Sequence, residues 1–306
     1  MKPIKIGTRG SPLALHQARW VEARLKTLHP GLVIEIQIIA TSADTMPRAQ
    51  ITALGGKGLF VKEIEEALLA GKIDIAVHSL KDLPTELPKG LSLSAVPLRV
   101  DPRDALVSRD HKKFYELPPD SRVATSSLRR SCQLKAARQD IEIVPMRGNV
   151  GTRLEKLQRG EVDAIILAVA GLTRLGLQEK ITEVLDVDIV VPAIGQGALG
   201  LETRDQAAVF DLVRRLDDTP TRAAVTAERA LARGLRATCQ TPVGGYGQAR
   251  GMTLTLTGVV AALDGKRVIK DKVTGVLADP KSLGAQLADR LLAAGADEIL
   301  RELTGC

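Results

Sequence analysis

Strand-like and helix-like segments alternate through roughly the first two thirds of this 306-residue chain, then give way to a helix, a hairpin and a last helix. The alternation predicts an α/β fold of mostly parallel sheets with helices on both faces. The change near Thr219-Pro220 predicts a small C-terminal α+β domain. Composition agrees: 44% hydrophobic and 26% charged residues supply buried cores and argue against disorder. Two or three domains are expected at this length.

Residues 4–6 read as a short buried strand, and Gly7-Thr8-Arg9-Gly10-Ser11 as a turn. Ser11 before Pro12 reads as an N-cap and a first-turn proline. The helix they open runs to about Leu28, with Leu15, Ala18, Val21 and Leu25 on one face. His29-Pro30-Gly31 ends it. β-branched density over 33–39 predicts a strand, 60–69 an amphipathic helix closed by Gly71, and 73–77 another strand. Residues 41–58 break this rhythm with polar side chains, Pro47 and Gly55-Gly56-Lys57-Gly58, and read as a lid or an irregular surface loop.

A second block follows Val100-Asp101-Pro102. It reads as a strand end at 123–124, a helix over 128–138, a strand over 141–144, a helix over 150–158 closed by Gly160, and a buried strand over 164–167. A strand over 187–191 is expected to lead back towards the first block, with 192–197 as a crossover hinge. The third block reads as a helix over 221–233, strands over 252–260 and 268–276 joined by the turn signal Asp264-Gly265, and a helix over 283–294. The expected domains are 1–98 with 193–218, then 99–192, then 219–306.

Several function classes are disfavoured at once. No apolar run approaches the roughly 18–20 residues that span a bilayer, and the N-terminus runs straight into a strand without a secretory pattern. The three cysteines, Cys132, Cys239 and Cys306, are widely spaced with no C-x-x-C pair, which argues against a disulfide scaffold or a zinc site and for a reducing cytosol. A net charge of +7 invites a nucleic-acid reading. Aromatic residues are only 2% and scattered, too few for a stacking platform. Two readings of the excess charge remain, one in which it only aids solubility and one in which it meets an anionic small molecule, and the placement of the arginines decides between them.

The arginines favour that partner. They stand beside small polar residues in Thr8-Arg9-Gly10-Ser11, Thr125-Ser126-Ser127-Leu128-Arg129-Arg130, Arg147-Gly148-Asn149 and Ala170-Gly171-Leu172-Thr173-Arg174, and Arg153 follows one turn after the third. Each cluster lies where a parallel strand should end, which is where ligands of such sheets bind. Helix N-termini offer free N–H groups there, Ser and Thr add hydroxyls, and arginine adds a fork matched to carboxylate or phosphate. Gly55-Gly56-Lys57-Gly58 lacks the order of a phosphate loop. The stretch 74–84 carries a buried strand into His78, Ser79, Lys81 and Asp82. Lys81 beside Asp82 would hold that carboxylate ionised for proton handling, whereas His78 reads as a packed strand-end residue.

Taken together, Thr8-Arg9-Gly10-Ser11, K-G-L-F-V-K-E-I-E at 57–65, A-V-H-S-L-K-D-L-P at 76–84, T-S-S-L-R-R at 125–130, M-R-G-N-V-G-T-R-L at 146–154, L-A-V-A-G-L-T-R-L-G at 167–176, G-Q-G-A-L-G-L-E at 195–202 and Cys239-Gln240-Thr241-Pro242-Val243-Gly244 resemble the porphobilinogen deaminase family. The resemblance implies two α/β domains like a type II periplasmic binding protein, joined by hinge crossovers, and a third α+β domain. It implies a dipyrromethane cofactor attached by a thioether to Cys239. It implies a transferase that joins four porphobilinogen molecules head to tail with loss of ammonia and then releases the linear tetrapyrrole by hydrolysis. Asp82 matches the catalytic aspartate. Ser79, Lys81, Asp82, Thr125, Ser126, Ser127, Arg129, Arg130 and Arg147 match cofactor-binding positions. Arg9, Ser11, Gln17, Arg147, Arg153 and Arg174 match substrate-binding positions. Ala237-Thr238 stand where the family usually has two glycines before the cysteine, so a rearranged loop is expected. The protein is expected to be a cytoplasmic monomer that takes porphobilinogen, needs no metal and meets neither nucleic acid nor membrane. The same hinge plan without Cys239 chemistry would suit a solute-binding protein for organic anions, the alternative reading.

Overall fold

A computed structural model describes residues 2–42, 61–205, 207–238 and 240–304. Most of the expected lid, 43–58, lies outside the described residues. The chain forms two compact units, one of Met1–Val100 with Ala198–Arg222, the other of Asp101–Gly197 with Ala223–Cys306.

The first unit holds a five-stranded sheet. β1 (Ile4–Thr8) lies between β2 (Ile34–Ile38) and β3 (Ile75–Ser79), all parallel. β4 (Leu91–Ala95) forms an edge, and β10 (Leu199–Arg204) inserts antiparallel between β3 and β4. Alternate residues of a strand face opposite sides. Ile75 and Val77 therefore join Ile6 and Leu201 under α1 (Pro12–Leu28), while Ala76 and Ile73 meet Ile64 and Leu68 of α2 (Lys62–Leu69) on the other face. α1 starts as its sequence predicts: Ser11 Oγ accepts a hydrogen bond from the Ala14 N–H at 3.3 Å, with Pro12 following. Its buried face includes Gln17 beside Ala18, Val21 and Leu25, and Leu15 is only half-buried.

The second unit repeats the plan. β6 (Arg122–Ala124) lies between the parallel strands β7 (Glu142–Val144) and β8 (Ala164–Ala168), and β5 (Asp104–Ser108) runs antiparallel between β8 and β9 (Glu183–Val184). α3 (Leu128–Ala137), α4 (Val150–Gln158) and the short α5 (Val169–Arg174) complete it, with cores on both faces of the sheet. In both sheets the antiparallel strand is the first one formed after the chain enters the unit: β5 after Val100, β10 after Gly197.

The expected strand over 187–191 is instead a turn. The Ile189 and Val190 N–H groups both donate to the Asp186 carbonyl, and the Asp186 side chain takes the Asp188 N–H. Local turn chemistry outcompetes β-propensity there; the returning strand is β10.

The C-terminal part is an antiparallel sheet of β11 (Val243–Arg250), β12 (Thr253–Ala261) and β13 (Val268–Val276). After the short α6 (Phe210–Arg214), whose Val213 joins the core of the first unit, α7 (Thr219–Gly234) and α8 (Pro280–Leu291) supply the core of this sheet, with Leu231, Leu287 and Leu291 against Leu254, Leu256 and Val260. The glycines in Val243-Gly244-Gly245-Tyr246-Gly247 hide β11 from a propensity reading. Gly247 is needed because a Cβ there would lie 2.8 Å from the Ala224 carbonyl oxygen of α7. Gly265, at φ 74, carries the β12–β13 turn onto α3, where a Cβ would lie 2.7 Å from the Ala136 nitrogen. Among the described residues no helix is long and apolar enough to cross a membrane.

Candidate active site

In the first unit, Arg9, Ser11, Gln17, Ser79 and Asp82 line one pocket, together with His78. They converge because the C-terminal end of β3, the segment after β1 and the first turns of α1 meet at one edge of the sheet, the edge where α/β proteins bind ligands. Gln17, buried in α1, donates from Nε2 to Ser79 Oγ at 2.8 Å. Ser11 carries the α1 cap, so its hydroxyl oxygen is already engaged as an acceptor. Asp82 closes a single 3-10 turn, Leu80–Asp82, and is exposed. The ion pair expected between Lys81 and Asp82 is not formed. Adjacent residues of a 3-10 turn project in different directions, and no described residue makes a hydrogen bond or ion pair with the Asp82 carboxylate.

The remaining described candidates lie in the second unit. Thr125 and Ser126 shape the loop between β6 and α3. Thr125 Oγ1 accepts from the Ser127 N–H, and Ser126 Oγ exchanges hydrogen bonds with the Met146 carbonyl and N–H. Ser127 occupies the N-cap of α3 without a side-chain capping bond. Arg129 and Arg130 are not open forks at a helix mouth, as the sequence suggests. Both are buried and turned onto Asp104, the first residue of β5. Arg129 Nη1 donates to Asp104 Oδ2 at 2.8 Å and to the Val191 carbonyl at 2.6 Å. Arg130 donates from Nε and Nη2 to Asp104 Oδ1 and from Nη1 to the Ile166 carbonyl. Gln196 Nε2 adds a further bond to Asp104 Oδ1 at 2.9 Å. Burial alone would push the Asp104 carboxyl up; the two guanidinium groups overcome that and hold it well below the usual carboxylate range.

Arg153 and Arg174 have a different environment. Arg153 donates to the Gly148 carbonyl and Arg174 to the Gly197 carbonyl, and among the described residues neither meets a carboxylate. Burial, with repulsion from Arg130 and Arg147, pushes the Arg153 pKa down; burial takes Arg174 to about 10. Clustered, partly desolvated cations without an acid are poorly satisfied alone and are completed by an anion. Exposed Arg147 lies close enough to repel Arg153 and precedes the Asn149 cap of α4. This donor set fits a ligand bearing several carboxylates.

Cys239 lies outside the described residues. On either side of it, the Thr238 N–H donates to Thr241 Oγ1, which donates back to the Thr238 carbonyl. The left-handed backbone step falls on Arg236, at φ 51, so neither Ala237 nor Thr238 has to adopt the conformation that favours glycine. Cys132 is buried in α3 and burial pushes its thiol up to about 11, which leaves it protonated and unreactive. Sequence reasoning missed Asp104 and Glu202. A charged residue opening a wholly buried strand was the available signal for the first. The second stands at the end of the G-Q-G-A-L-G-L-E block.

Two sheets built on one plan, each completed by the strand that follows a crossover, define an α/β protein with an added antiparallel α+β part. Residues 4–211 match the family model "Porphobilinogen deaminase, dipyromethane cofactor binding domain", and residues 222–293 match "Porphobilinogen deaminase, C-terminal domain". The chain is 50% identical over 303 residues to a porphobilinogen deaminase of Trichlorobacter lovleyi, covering 99% of this chain and 97% of that protein. It is 50% identical over 301 residues to one of Syntrophotalea carbinolica, covering 98% and 96%, and 49% identical over 303 residues to one of Geobacter metallireducens, covering 99% and 95%. The chain belongs to the porphobilinogen deaminase family of transferases, whose cofactor is dipyrromethane.

Proposed function

We propose that this chain is a hydroxymethylbilane synthase of porphyrin biosynthesis, working as a cytoplasmic monomer on porphobilinogen, with Asp82 as its catalytic group. The observation that supports the assignment of roles is the single pocket lined by Arg9, Ser11, Gln17, Ser79 and Asp82, in which the aspartate has no competing partner among the described residues. The reaction joins four porphobilinogen molecules head to tail, losing ammonia each time, and ends with hydrolytic release of the linear tetrapyrrole. Dipyrromethane, held by a thioether to Cys239, supplies the electron-rich pyrrole from which the chain grows.

The residues of this chain bind, orient and stabilise charge. Asp82 is a fixed negative charge for the cation that develops on the substrate as ammonia leaves; such preorganised partners are usually the largest catalytic contribution. Gln17 and Ser79, bonded to each other, fix one wall of the pocket, and Arg9 offers a cation to a substrate carboxylate. Arg153 and Arg174 hold carboxylates of the substrate side, and Arg147 serves both ligands. Thr125, Ser126, Ser127, Arg129, Arg130, Ser79 and Lys81 form the cofactor-binding set. Arg129 and Arg130 act with their positions already fixed by Asp104, and so lose little freedom on binding. Domains are proposed at 1–98 with 193–218, 99–192 and 219–306. Intact mass of the purified protein tests the reading together with porphobilinogen consumption. An adduct of two pyrrole units on Cys239 and release of a linear tetrapyrrole are expected; a bare chain that binds porphobilinogen without consuming it would overturn it.

A further inference from the structure

His78 lines the Asp82 pocket and has no task assigned so far, nor have two buried acids that act on it, Glu202 and Glu65. His78, on β3, has Nε2 3.0 Å from Oε2 of Glu202, on the adjoining strand β10, and both side chains are buried. Glu65 of α2 is buried and close enough to feel both. One oxygen of each carboxylate, Glu65 Oε1 and Glu202 Oε1, is buried without a hydrogen-bond partner. Two buried carboxylates this close cannot both ionise cheaply. Burial first and the Glu202 charge second push Glu65 up to about 7.

The neighbouring elements offer little competing charge. β4 carries no ionisable side chain, β1 only Lys5, and Arg204 of β10 is bound to Asp74 and to the Leu68 and Ile73 carbonyls. On α1, His16, Arg19, Arg24 and Lys26 are exposed and Glu22 bonds Lys26. On α2, Lys62 and Glu66 are exposed and Glu63 bonds Ser42. Arg9 and Asp82 are the charges lining the pocket itself.

We propose that Glu202 is a positioning residue for the condensation: it takes the hydrogen bond of His78 Nε2–H, fixes the imidazole tautomer and leaves Nδ1 as a proton acceptor for the Asp82 pocket. The inference rests on reading that pocket as the reaction site. In each condensation the carbon–nitrogen bond of the protonated aminomethyl group breaks with its electron pair leaving on ammonia. The attacking pyrrole carbon forms the new carbon–carbon bond and sheds its proton. His78 Nδ1 accepts that proton and returns it to solvent, where the released ammonia takes it up. A carboxylate behind an imidazole orients it and raises its basicity, as it does for metal-bound and triad histidines.

The chain has 4 histidines, so imidazole nitrogen resonances of the ¹⁵N-histidine-labelled holoenzyme can be assigned one by one. In the wild-type holoenzyme the Nε2–H form of the neutral His78 ring is expected to predominate over the Nδ1–H form. Glu202→Gln should lose that preference and slow single-turnover elongation about 10–100-fold, the usual cost of removing an orienting carboxylate, with KM little changed. Glu202→Asp should recover part of the rate. A neutral ring that carries its proton on Nδ1 in the wild-type protein would overturn the proposal, as would a wild-type rate in Glu202→Gln. If Glu202→Gln does not fold, the wild-type tautomer decides alone. Asp82→Asn run alongside separates the two readings: normal turnover there removes the pocket assignment, whereas the wrong His78 tautomer removes this inference only.

Discussion

Asp104 Oδ1 receives both Nε and Nη2 of Arg130, at 3.0 and 2.6 Å, while its other oxygen receives Arg129. One wholly buried carboxylate thus fixes two neighbouring guanidinium groups, and deleting it would leave two buried cations uncompensated. Asp104→Ala is expected to destabilise the protein by about 3–5 kcal/mol, read as a lowered denaturation midpoint, and to yield protein with little cofactor. The pH dependence has a definite sign. The folded-state pKa is depressed, so the stabilisation is complete above the unfolded carboxylate pKa of about 4 and is lost as pH falls through the folded value. Acid unfolding should be less steep in Asp104→Asn than in the wild type. Equal acid sensitivity would place the acid-labile group elsewhere.

Arg153 and Arg129 should part company when each is truncated. Arg129 compensates a buried acid, so Arg129→Ala should cost stability and cofactor together. Arg153 is held among other cations with no acid of its own among the described residues, so Arg153→Ala should leave the melting temperature unchanged or raised while porphobilinogen binding weakens. Calorimetry and intact mass on the two variants check this. A large stability loss in Arg153→Ala would mean that its role is structural.

The thiols give a cleaner contrast. Cys239→Ser should abolish the pyrrole adduct and nearly all activity, because a hydroxyl is a far weaker nucleophile than a thiolate. Cys132→Ser should keep the adduct, since that thiol is buried and protonated. An unmodified Cys132→Ser protein would sink the Cys239 assignment.

What the sequence made legible, and what it hid, divides along physical lines. Ser11-Pro12 announced the start of α1, and Asp264-Gly265 the β12–β13 turn, because caps and turns depend on residues a few positions apart. The glycines of β11 and the turn at Asp186 misled for the opposite reason: contact with α7 and a local side-chain bond decide them. The candidate residues could be named from motifs, but not what each one touches. Nothing local in Arg129-Arg130 reveals that Asp104, more than twenty positions earlier, claims both. His78 reads as a packed strand residue and is one, yet its partner Glu202 arrives from 124 positions away.

Glu65 should leave a signature in stability against pH. Its folded-state pKa is raised, by burial first and the Glu202 charge second, to about 7. Between the unfolded value near 4.5 and about 7 the native state binds a proton that the unfolded state has lost, so stability falls as pH rises through that window. Glu65→Gln cannot ionise and should flatten this fall. Chemical denaturation at several pH values measures it, and an unchanged slope would show that Glu65 titrates normally.

Asp82 carries the most exposed commitment. Its carboxylate lies on a single 3-10 turn at the end of β3, in the pocket with Arg9, Gln17 and Ser79, and no described residue neutralises it. Asp82→Asn keeps the size and removes the charge. If the aspartate stabilises the cation that develops as ammonia leaves, turnover should fall about 10²–10³-fold, the typical loss of one preorganised electrostatic partner. Asp82→Glu keeps the charge but displaces it by one methylene, so it should retain more activity than Asn. Because the side chain is exposed and packs in no core, both variants should melt close to the wild type, which separates a lost catalytic group from a damaged fold. Single-turnover kinetics with porphobilinogen, with intact mass to count the rings added, is the measurement. Wild-type elongation in Asp82→Asn would mean that another group in the pocket stabilises the cation.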